Sequence, residues 1–394
     1  MSARGLVARR VVTCDGAQGL GVIEDGAVVF DGERITYVGP RAGAPASARL
    51  EDVGDRVVTP GLVDAHTHAC WAGSRHAEYA VRMAGGDYRD IARAGGGILS
   101  THRAVAAASE EELAGALAAR LGRMRALGVT TVEVKSGYGL DAANERKQLA
   151  AIARAASAPG APAVVPTLLA LHAVPPGVDR AAYVEGVARE LVPEVAREGL
   201  ARFVDAYVDA NAFTADEARR VGEAARAHGL GVRLHVGQFA DVGGAELAAS
   251  LGAASVDHLE HVSPAGIETL ARAGVRAVLL PVASFTLSQM PPPVPALRAA
   301  GVALVVASDA NPGTAPTESL PLALALAVRA YGLTPDDAIS SATREAAASL
   351  GLDDRGVLRA GARADLVVWD LPHEHAIVQP WGVPRTHAVV IAGS

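Results

Sequence analysis

The sequence predicts an α/β fold, a (β/α)8 barrel with a small β-sandwich domain that the two ends of the chain form together. Short runs of branched apolar residues alternate with stretches rich in Ala, Arg and Glu from about Thr59 to about Leu352, as in repeated βα units. Both ends instead carry strand-like segments separated by turn residues. A chain of 394 residues that is 50% hydrophobic is also long enough to bury one large core and a smaller one.

The β-rich ends are the first element of this prediction. GLVARRVVTCD and GVIEDGAVVFDGERITYVGP open the chain, with Asp25-Gly26 and Asp31-Gly32 as candidate tight reversals. GVLRAGARADLVVWDLP and HAVVIAGS close it without a long amphipathic helix between them. We therefore expect residues 1–59 and 355–394 to form one composite β-sandwich domain, and residues 60–354 to form the barrel.

Eight candidate strands follow one another in the central region, and eight is the number that closes a barrel of this kind. They are PGLVDAHTH, VTTVEVKSG, VVPTLLALH, RFVDAYVDA, GVRLHVGQ, SVDHLEHV, VRAVLLPVA and VALVVASDA. Helical patterns such as TADEARRVGEAARAHG separate them. An open, doubly wound sheet has the same alternation, but no glycine-rich dinucleotide fingerprint follows the first strand.

Charge and composition narrow the kind of partner. The formal net charge is -7, and acidic and basic residues are interspersed, which argues against nucleic-acid binding and favours a small-molecule substrate. No apolar run has the length of a signal peptide or a membrane span. Cys14 and Cys70 are the only cysteines, so a disulfide framework is not expected. These features predict a cytoplasmic protein that does not contact membranes.

Polar residues recur where the predicted strands end. Six of them lie at or just beyond such ends: His66, His68, His172, His235, His258 and Asp309. The carboxyl ends of barrel strands share one rim, which is where active sites of this fold lie. Two histidines at i and i+2 point to the same face of a strand. That pair alone is a weak signal, but the series of histidines on separate strands predicts a metal site.

These residues resemble the amidohydrolase superfamily. The resemblance rests on TPGLVDAHTH, the later strand-end histidines, the aspartate after a branched strand, and the closing GARADLVVWD. It implies that one divalent metal ion, Zn²⁺ or iron in its 2+ or 3+ state, is bound by four side chains: His66, His68, His235 and Asp309. It further implies that His258 lies beside the ion and that His258 and Asp309 are catalytic.

Longer runs resemble the imidazolonepropionases of histidine degradation: HACWAGSR, RAGGGILSTHRA, TTVEVKSGYGL, LALHAVPP and SDANPGT. The resemblance implies hydrolysis of the cyclic amide C–N bond of 4-imidazolone-5-propanoate to N-formimidoyl-L-glutamate. It places eight residues around a substrate with a carboxylate tail: Arg75, Tyr88, Tyr138, His172, Gln238, Asn311, Gly313 and Thr314. Gln238 is also a candidate catalytic residue.

The sequence departs from the family after His235, where the run is His-Val-Gly-Gln. The family usually has an acidic or amide residue at the position of Gly237, whereas Gln238 keeps the expected substrate contact. Some superfamily members bridge two metals with a carboxylated lysine. The resemblance implies a single-metal site with a lysine at this position, so we interpret Lys135 as a structural residue or one that contacts the metal ligands, and we expect one metal.

Other interpretations of these residues remain open. Without the resemblance, Arg75 would be expected to form a rim ion pair with Glu78, Tyr138 to fill a turn between two glycines, and Asn311 to begin a turn. The nearest functional alternative is an amidohydrolase that deaminates an aminoazole or purine, and a remote one is a non-catalytic barrel scaffold. A homodimer is expected, because twofold oligomers are the commonest among soluble enzymes.

Overall fold

The computed structural model of the chain describes residues 3–16, 19–86, 96–379 and 381–394. Its strands in chain order are β1 (Arg4–Val12), β2 (Val22–Asp31), β3 (Arg34–Pro40), β4 (Arg49–Asp52), β5 (Val57–Pro60), β6 (Leu62–Asp64), β7 (Val129–Lys135), β8 (Ala163–Leu171), β9 (Phe203–Val208), β10 (Gly231–Val236), β11 (Ser255–His258), β12 (Arg276–Leu279), β13 (Leu304–Val306), β14 (Leu366–Trp369) and β15 (Thr386–Val390).

Helices follow most of the barrel strands. The described α-helices are α1 (His76–Met83), α2 (Ile98–Ala107), α3 (Glu110–Ala126), α4 (Ala142–Ala156), α5 (Arg180–Gly186), α6 (Val192–Arg197), α7 (Ala215–Ala227), α8 (Gly244–Leu251), α9 (Pro264–Ala273), α10 (Pro281–Leu287), α11 (Val294–Ala299), α12 (Leu320–Tyr331), α13 (Pro335–Ser341) and α14 (Arg344–Ser349). A π-helical turn, Val187–Leu191, joins α5 to α6, and short 3₁₀ segments cover Arg41–Gly43 and Glu374–Val378. Within the described residues, no helix is both long enough and apolar enough to cross a membrane.

The eight strands β6 to β13 are parallel and pair in sequence order, so the predicted barrel is confirmed. Seven of the eight predicted runs contain one of these strands, and β8 begins one residue before its run VVPTLLALH. Two backbone hydrogen bonds join the first and last strands just beyond their ends: the N–H of His68 donates to Ala310 O (3.0 Å), and the N–H of Asp309 donates to His66 O (3.1 Å). The two segments that carry metal-ligand candidates are thus held together by the backbone itself.

The two ends of the chain form a single seven-stranded mixed sheet in the order β15-β14-β5-β1-β2-β3, with β4 paired to β1. This sheet has its own apolar core, which includes Val28, Ile35 and Leu366. The predicted reversal at Asp31-Gly32 connects β2 to β3, and Gly32 has a φ of 53°. The predicted reversal at Asp25-Gly26 is wrong, because β2 continues through it in register with the long strand β1.

The helices pack on the outside of the barrel through one apolar face. Helix α7 lies within the helical pattern expected from TADEARRVGEAARAHG and buries Ala218, Val221 and Ala225. A capping box starts it, in which the Thr214 hydroxyl accepts the N–H of Glu217 and the Glu217 carboxylate accepts the N–H of Thr214. Burying such a face contributes roughly 25 cal/mol per Å² of apolar surface.

The inside of the barrel differs from the apolar interior expected of its strands. Side chains that point inward near the carboxyl rim are charged and fully buried: Glu133, Lys135, Asp205, Arg233 and Asp257. A buried charge is tolerated only when it is paired or hydrogen-bonded, and hydrogen bonds or ion pairs join all five of these side chains. This charged layer lies directly beneath the predicted metal site.

Candidate metal centre

Three of the predicted metal ligands meet at the carboxyl rim of the barrel. His66 and His68 follow β6, and His235 lies in β10; all three side chains are buried. One ring nitrogen from each lies within 4.8 Å of the other two. The Nε2 atoms of His68 and His235 are 3.2 Å apart. Residues more than 160 positions apart in sequence therefore offer their nitrogens to one point.

Asp309, the fourth predicted ligand, faces the same point. Its Oδ1 atom lies 3.5 Å from Nε2 of both His66 and His68. Its φ of 56° is in the left-handed region, which a residue without glycine's freedom adopts at a cost. Burial raises the pKa of Asp309 to about 7, and a cation at this point would lower it again.

The donor set fits a divalent ion. Within the described part of the chain, the buried Nε2 of His66 has no hydrogen-bond partner, although an unpaired buried polar atom is costly. Three imidazole nitrogens and one carboxylate oxygen around one point are ligands that both zinc and iron accept. An ion bound there would satisfy the open nitrogen.

His258, expected beside the ion, lies at the end of β11 next to this group. Its ring centroid is 5.6 Å from that of His235 and 6.2 Å from that of His66. Its φ is 83°, and Leu259 follows with a φ of 73°. Burial lowers the pKa of His258, but the carboxylates of Glu260, Asp309 and Asp257 together raise it by more, so the net shift is upward.

Two buried carboxylates, neither of them among the predicted site residues, orient the histidines from behind. His66 Nδ1 is 2.7 Å from Asp257 Oδ2, and His235 Nδ1 is 3.0 Å from Asp205 Oδ1. A carboxylate that accepts the Nδ1 proton leaves the Nε2 lone pair free for a metal. The available signal was an aspartate inside each of two predicted barrel strands, FVDAYV and SVDH.

The loop with the sequence Ser-Gly-Tyr-Gly-Leu is held by two side chains of helix α4, which were also missed. Glu145 accepts the N–H groups of Gly137 (2.8 Å) and Leu140 (2.7 Å), and Gln148 accepts the N–H of Tyr138 (3.0 Å). Tyr138 is consequently buried, with its ring 6.1 Å from that of His68. The structure thus brings the predicted substrate residue Tyr138 to the metal site.

His172 lies on the same side of the candidate site as Tyr138. Its Nδ1 lies 2.8 Å from the carbonyl oxygen of Gly137. Because a carbonyl only accepts, this nitrogen must carry the proton, and Nε2 is left as an acceptor. The His172 ring stacks on His68 at 5.3 Å and lies 5.4 Å from Tyr138. Burial lowers the pKa of His172 to about 3, so the ring is neutral at physiological pH.

Gln238 lies two residues beyond β10 and is buried. The hydroxyl of Tyr207 donates to its Oε1 (2.8 Å), and Gln289 Nε2 donates to its backbone carbonyl (2.8 Å). The departure from the family pattern, Gly237, has a φ of 66°, and a Cβ there would have no heavy atom closer than 3.7 Å. Glycine is therefore favoured at this position because the backbone is left-handed, and not because space for a side chain is lacking.

Arg75 packs against the loop that follows Asp309. The guanidinium of Arg75 donates to Glu78 Oε2 from Nε (2.9 Å) and Nη2 (2.7 Å), which is the rim pairing considered above. Arg75 is only 8% exposed, however, and its guanidinium packs against Gly313 so closely that a Cβ there would lie 2.1 Å from Nη1. Arginines at the rim of a barrel are usually exposed to solvent, whereas the side chain of Arg75 is buried in the candidate site.

The predicted residues Asn311, Gly313 and Thr314 belong to one tight turn. Asn311 Oδ1 accepts the N–H of Gly313 (2.8 Å) and the N–H of Thr314 (2.7 Å), while its Nδ2 donates to the Asp309 carbonyl (2.7 Å). The Asn311 amide therefore shapes this loop. Tyr88, the remaining predicted substrate residue, lies outside the described residues.

A (β/α)8 barrel with histidines and an aspartate converging at its carboxyl rim defines the class as the metal-dependent amidohydrolases. The chain belongs to that family, whose sequence profile matches residues 57–394. Within it, the chain belongs to the imidazolonepropionases. It is 46% identical over 392 residues to "Imidazolonepropionase" of Caulobacter vibrioides strain NA1000, covering 98% of each chain.

Two further comparisons concern the sequence and the fold. The chain is 47% identical over 388 residues to "Imidazolonepropionase" of Stenotrophomonas maltophilia, covering 97% of this chain and 95% of that one. A solved adenosine deaminase from Xanthomonas campestris with bound zinc superposes with a TM-score of 0.72 at 20% identity, covering 99% of this chain and 92% of that one. At that identity the second likeness establishes the fold alone.

Proposed function

We propose that this chain hydrolyses the cyclic amide C–N bond of 4-imidazolone-5-propanoate to N-formimidoyl-L-glutamate, the third step of histidine degradation. The supporting observation is the convergence at one rim of three histidines, Asp309 and the buried guanidinium of Arg75. Relatives named imidazolonepropionase match nearly the whole chain, so their named activity is the natural proposal for this site.

The site would hold one divalent ion, Zn²⁺ or iron, through His66, His68, His235 and Asp309. When bound, such an ion polarises a carbonyl oxygen and lowers the pKa of a water molecule from about 15.7 toward about 7. Asp205 and Asp257 keep the Nδ1 protons of His235 and His66 pointed away from it.

The chain's own groups then carry the proton. The water oxygen adds to the ring carbonyl carbon, and Asp309 takes the proton that this water releases. When the C–N bond opens, Asp309 passes this proton to the departing ring nitrogen. The carbonyl carbon leaves as a carboxylic acid that carries the second proton of the water and releases it to solvent on ionisation, so the atoms of substrate and water balance. His258, which stands beside the ligands, would stabilise the negative charge that forms on the carbonyl oxygen. Gln238 would hold the ring through its side-chain amide.

Recognition of the substrate tail falls to Arg75. A guanidinium presents parallel N–H donors that match a carboxylate. In this structure, Nε and Nη2 of Arg75 both donate to one oxygen of the Glu78 carboxylate, Oε2. The propanoate of the substrate would take that place. Tyr138 and His172 would line the ring, and Asn311, Gly313 and Thr314 the floor beneath Arg75, with Tyr88 as a further contact implied by the family resemblance.

A direct assay distinguishes this reaction from that of a deaminase. Purified protein is mixed with freshly generated imidazolone-propanoate, and loss of the ring absorbance is followed together with free ammonia. We expect ring opening without ammonia; stoichiometric ammonia release would favour deamination. A chain that purifies with far less than one metal ion and cannot be reconstituted would favour the non-catalytic scaffold.

We further propose that the enzyme acts in the cytoplasm as a homodimer. Its substrate is a small intracellular metabolite, and twofold assemblies are the most common among homo-oligomeric enzymes. Light scattering after size-exclusion chromatography tests the second part: the measured mass should be twice that of the chain, and a monomer at micromolar concentration would contradict it.

A further inference from the structure

Lys135 ends strand β7 inside the barrel and is fully buried. Its Nζ donates to Glu133 Oε1 (2.8 Å) and to Asp205 Oδ2 (2.8 Å), and it lies 3.9 Å from Asp257 Oδ2. A single ammonium therefore touches three carboxylates. This ammonium has no contact with solvent. The surrounding carboxylates must therefore compensate the hydration that it loses on burial.

Two of those carboxylates also contact the histidines of the proposed metal site, and the third contacts the backbone between two of them. Asp205 uses its second oxygen for His235 Nδ1 (3.0 Å), and Asp257 Oδ2 bonds to His66 Nδ1 (2.7 Å). Glu133 Oε2 accepts the N–H of Thr67 (3.2 Å), the residue between the two histidines of β6. The ammonium is thus one contact away from a carboxylate that holds each of His66, Thr67 and His235.

We propose that Lys135 is a positioning residue, which links the three carboxylates into one brace and so sets the direction in which the histidines present their Nε2 atoms to the metal. This inference rests on the metal site of the proposed function. The carboxylates on their own would repel one another and separate. With the ammonium between them, each holds its histidine or backbone partner in one orientation.

The brace also sets the local charge. Three carboxylates face two buried cations, Lys135 and Arg233, the latter with Nη2 3.8 Å from Asp257 Oδ1. One net negative charge remains directly beneath the histidines, which favours a cation above them. Burial lowers the pKa of Lys135, but Asp205, Glu133 and Asp257 together raise it by more, so the side chain stays an ammonium.

The chain offers a matched control, because Lys147 is its only other lysine. Lys147 lies on helix α4 and donates to backbone carbonyls at the end of α2, away from the brace. Zn²⁺ dissociation constants are measured by chelator competition on the full-length protein. We expect Lys135→Met to raise the dissociation constant about 10-fold to 100-fold, and Lys147→Met to leave it within about twofold of the wild type. An unchanged or tighter constant for Lys135→Met would overturn the proposal.

A double-mutant cycle with Asp205→Asn separates positioning from general destabilisation. If Lys135 acts through Asp205, the two substitutions change the free energy of metal binding non-additively, and full additivity would overturn the proposal. Should Lys135→Met fail to fold, Asp205→Asn alone must still weaken Zn²⁺ binding about tenfold or more; an unaltered constant would refute the brace. Failure of the wild type to bind Zn²⁺ or iron would instead refute the proposed function, which keeps the two failures distinct.

Discussion

Replacing Gly313 by alanine tests how Arg75 is held. A Cβ at this position would lie 2.1 Å from Arg75 Nη1 and 2.7 Å from its Cζ, whereas ordinary contacts begin at 3.4 Å. The guanidinium must therefore retreat by about 1.3 Å, which is cheap for the end of a long side chain but breaks its alignment with a substrate carboxylate. Hydrogen bonds to charged groups contribute about 1.5 to 3 kcal/mol, so KM should rise about 10-fold to 100-fold.

The assay is steady-state ring opening together with elemental analysis of the variant. We expect kcat and metal content to stay near the wild-type values, because the change removes binding that substrate and transition state share. Gly115→Ala on α3, where a Cβ would meet nothing within 4 Å, is the control and should leave KM unchanged. In an Arg75→Ala background, Gly313→Ala should add nothing. A drop in kcat at constant KM, or loss of metal, would refute the assignment of Arg75 to substrate recognition.

Three further predictions concern the metal, the substrate tail and stability in acid. His235→Ala should lose bound metal and turnover together; a full equivalent of metal in that variant would refute its role as a ligand. Arg75→Ala should keep its metal and raise KM, and equal losses of metal in both variants would show that ligand and substrate contacts were misassigned. The hydrogen bonds from Arg180 lower the pKa of Glu217 to about 2, below the ordinary value of about 4.3. The ion pair between Arg180 and Glu217 therefore stabilises the folded state above about pH 4.3, and this stabilisation disappears as the pH falls toward 2. Glu217→Gln should lower the free energy of unfolding by about 1 kcal/mol at pH 7, since the pair is partly solvated, and the difference should vanish near pH 2 in denaturant titrations. A constant difference across this range would contradict the ion pair as its source.

The sequence was sufficient to locate the barrel strands and the histidines at their ends. Buried parallel strands need branched apolar runs. The alternation of such runs with helical stretches is a local pattern that can be recognised in the sequence alone. The positions of His66 and His235 at strand ends then follow, because the barrel brings all carboxyl ends to one rim. The reversal at Asp25-Gly26 was mispredicted for the same local reason: turn residues indicate a turn unless a long partner strand, here β1, keeps the chain extended.

Only the tertiary structure determines which residues hold the ligands of the candidate site in place. Asp205, Asp257 and Glu133 are isolated acidic residues within strands, and nothing in their neighbours indicates which histidine or backbone group they hold. Their partners lie up to 191 positions away along the chain. Hydrogen bonds of this kind depend on which strands become neighbours and on the register between them, and these are properties of the closed barrel. The local sequence determines which side chains of a strand point into the barrel. Closure of the barrel determines which hydrogen-bond partners those side chains contact.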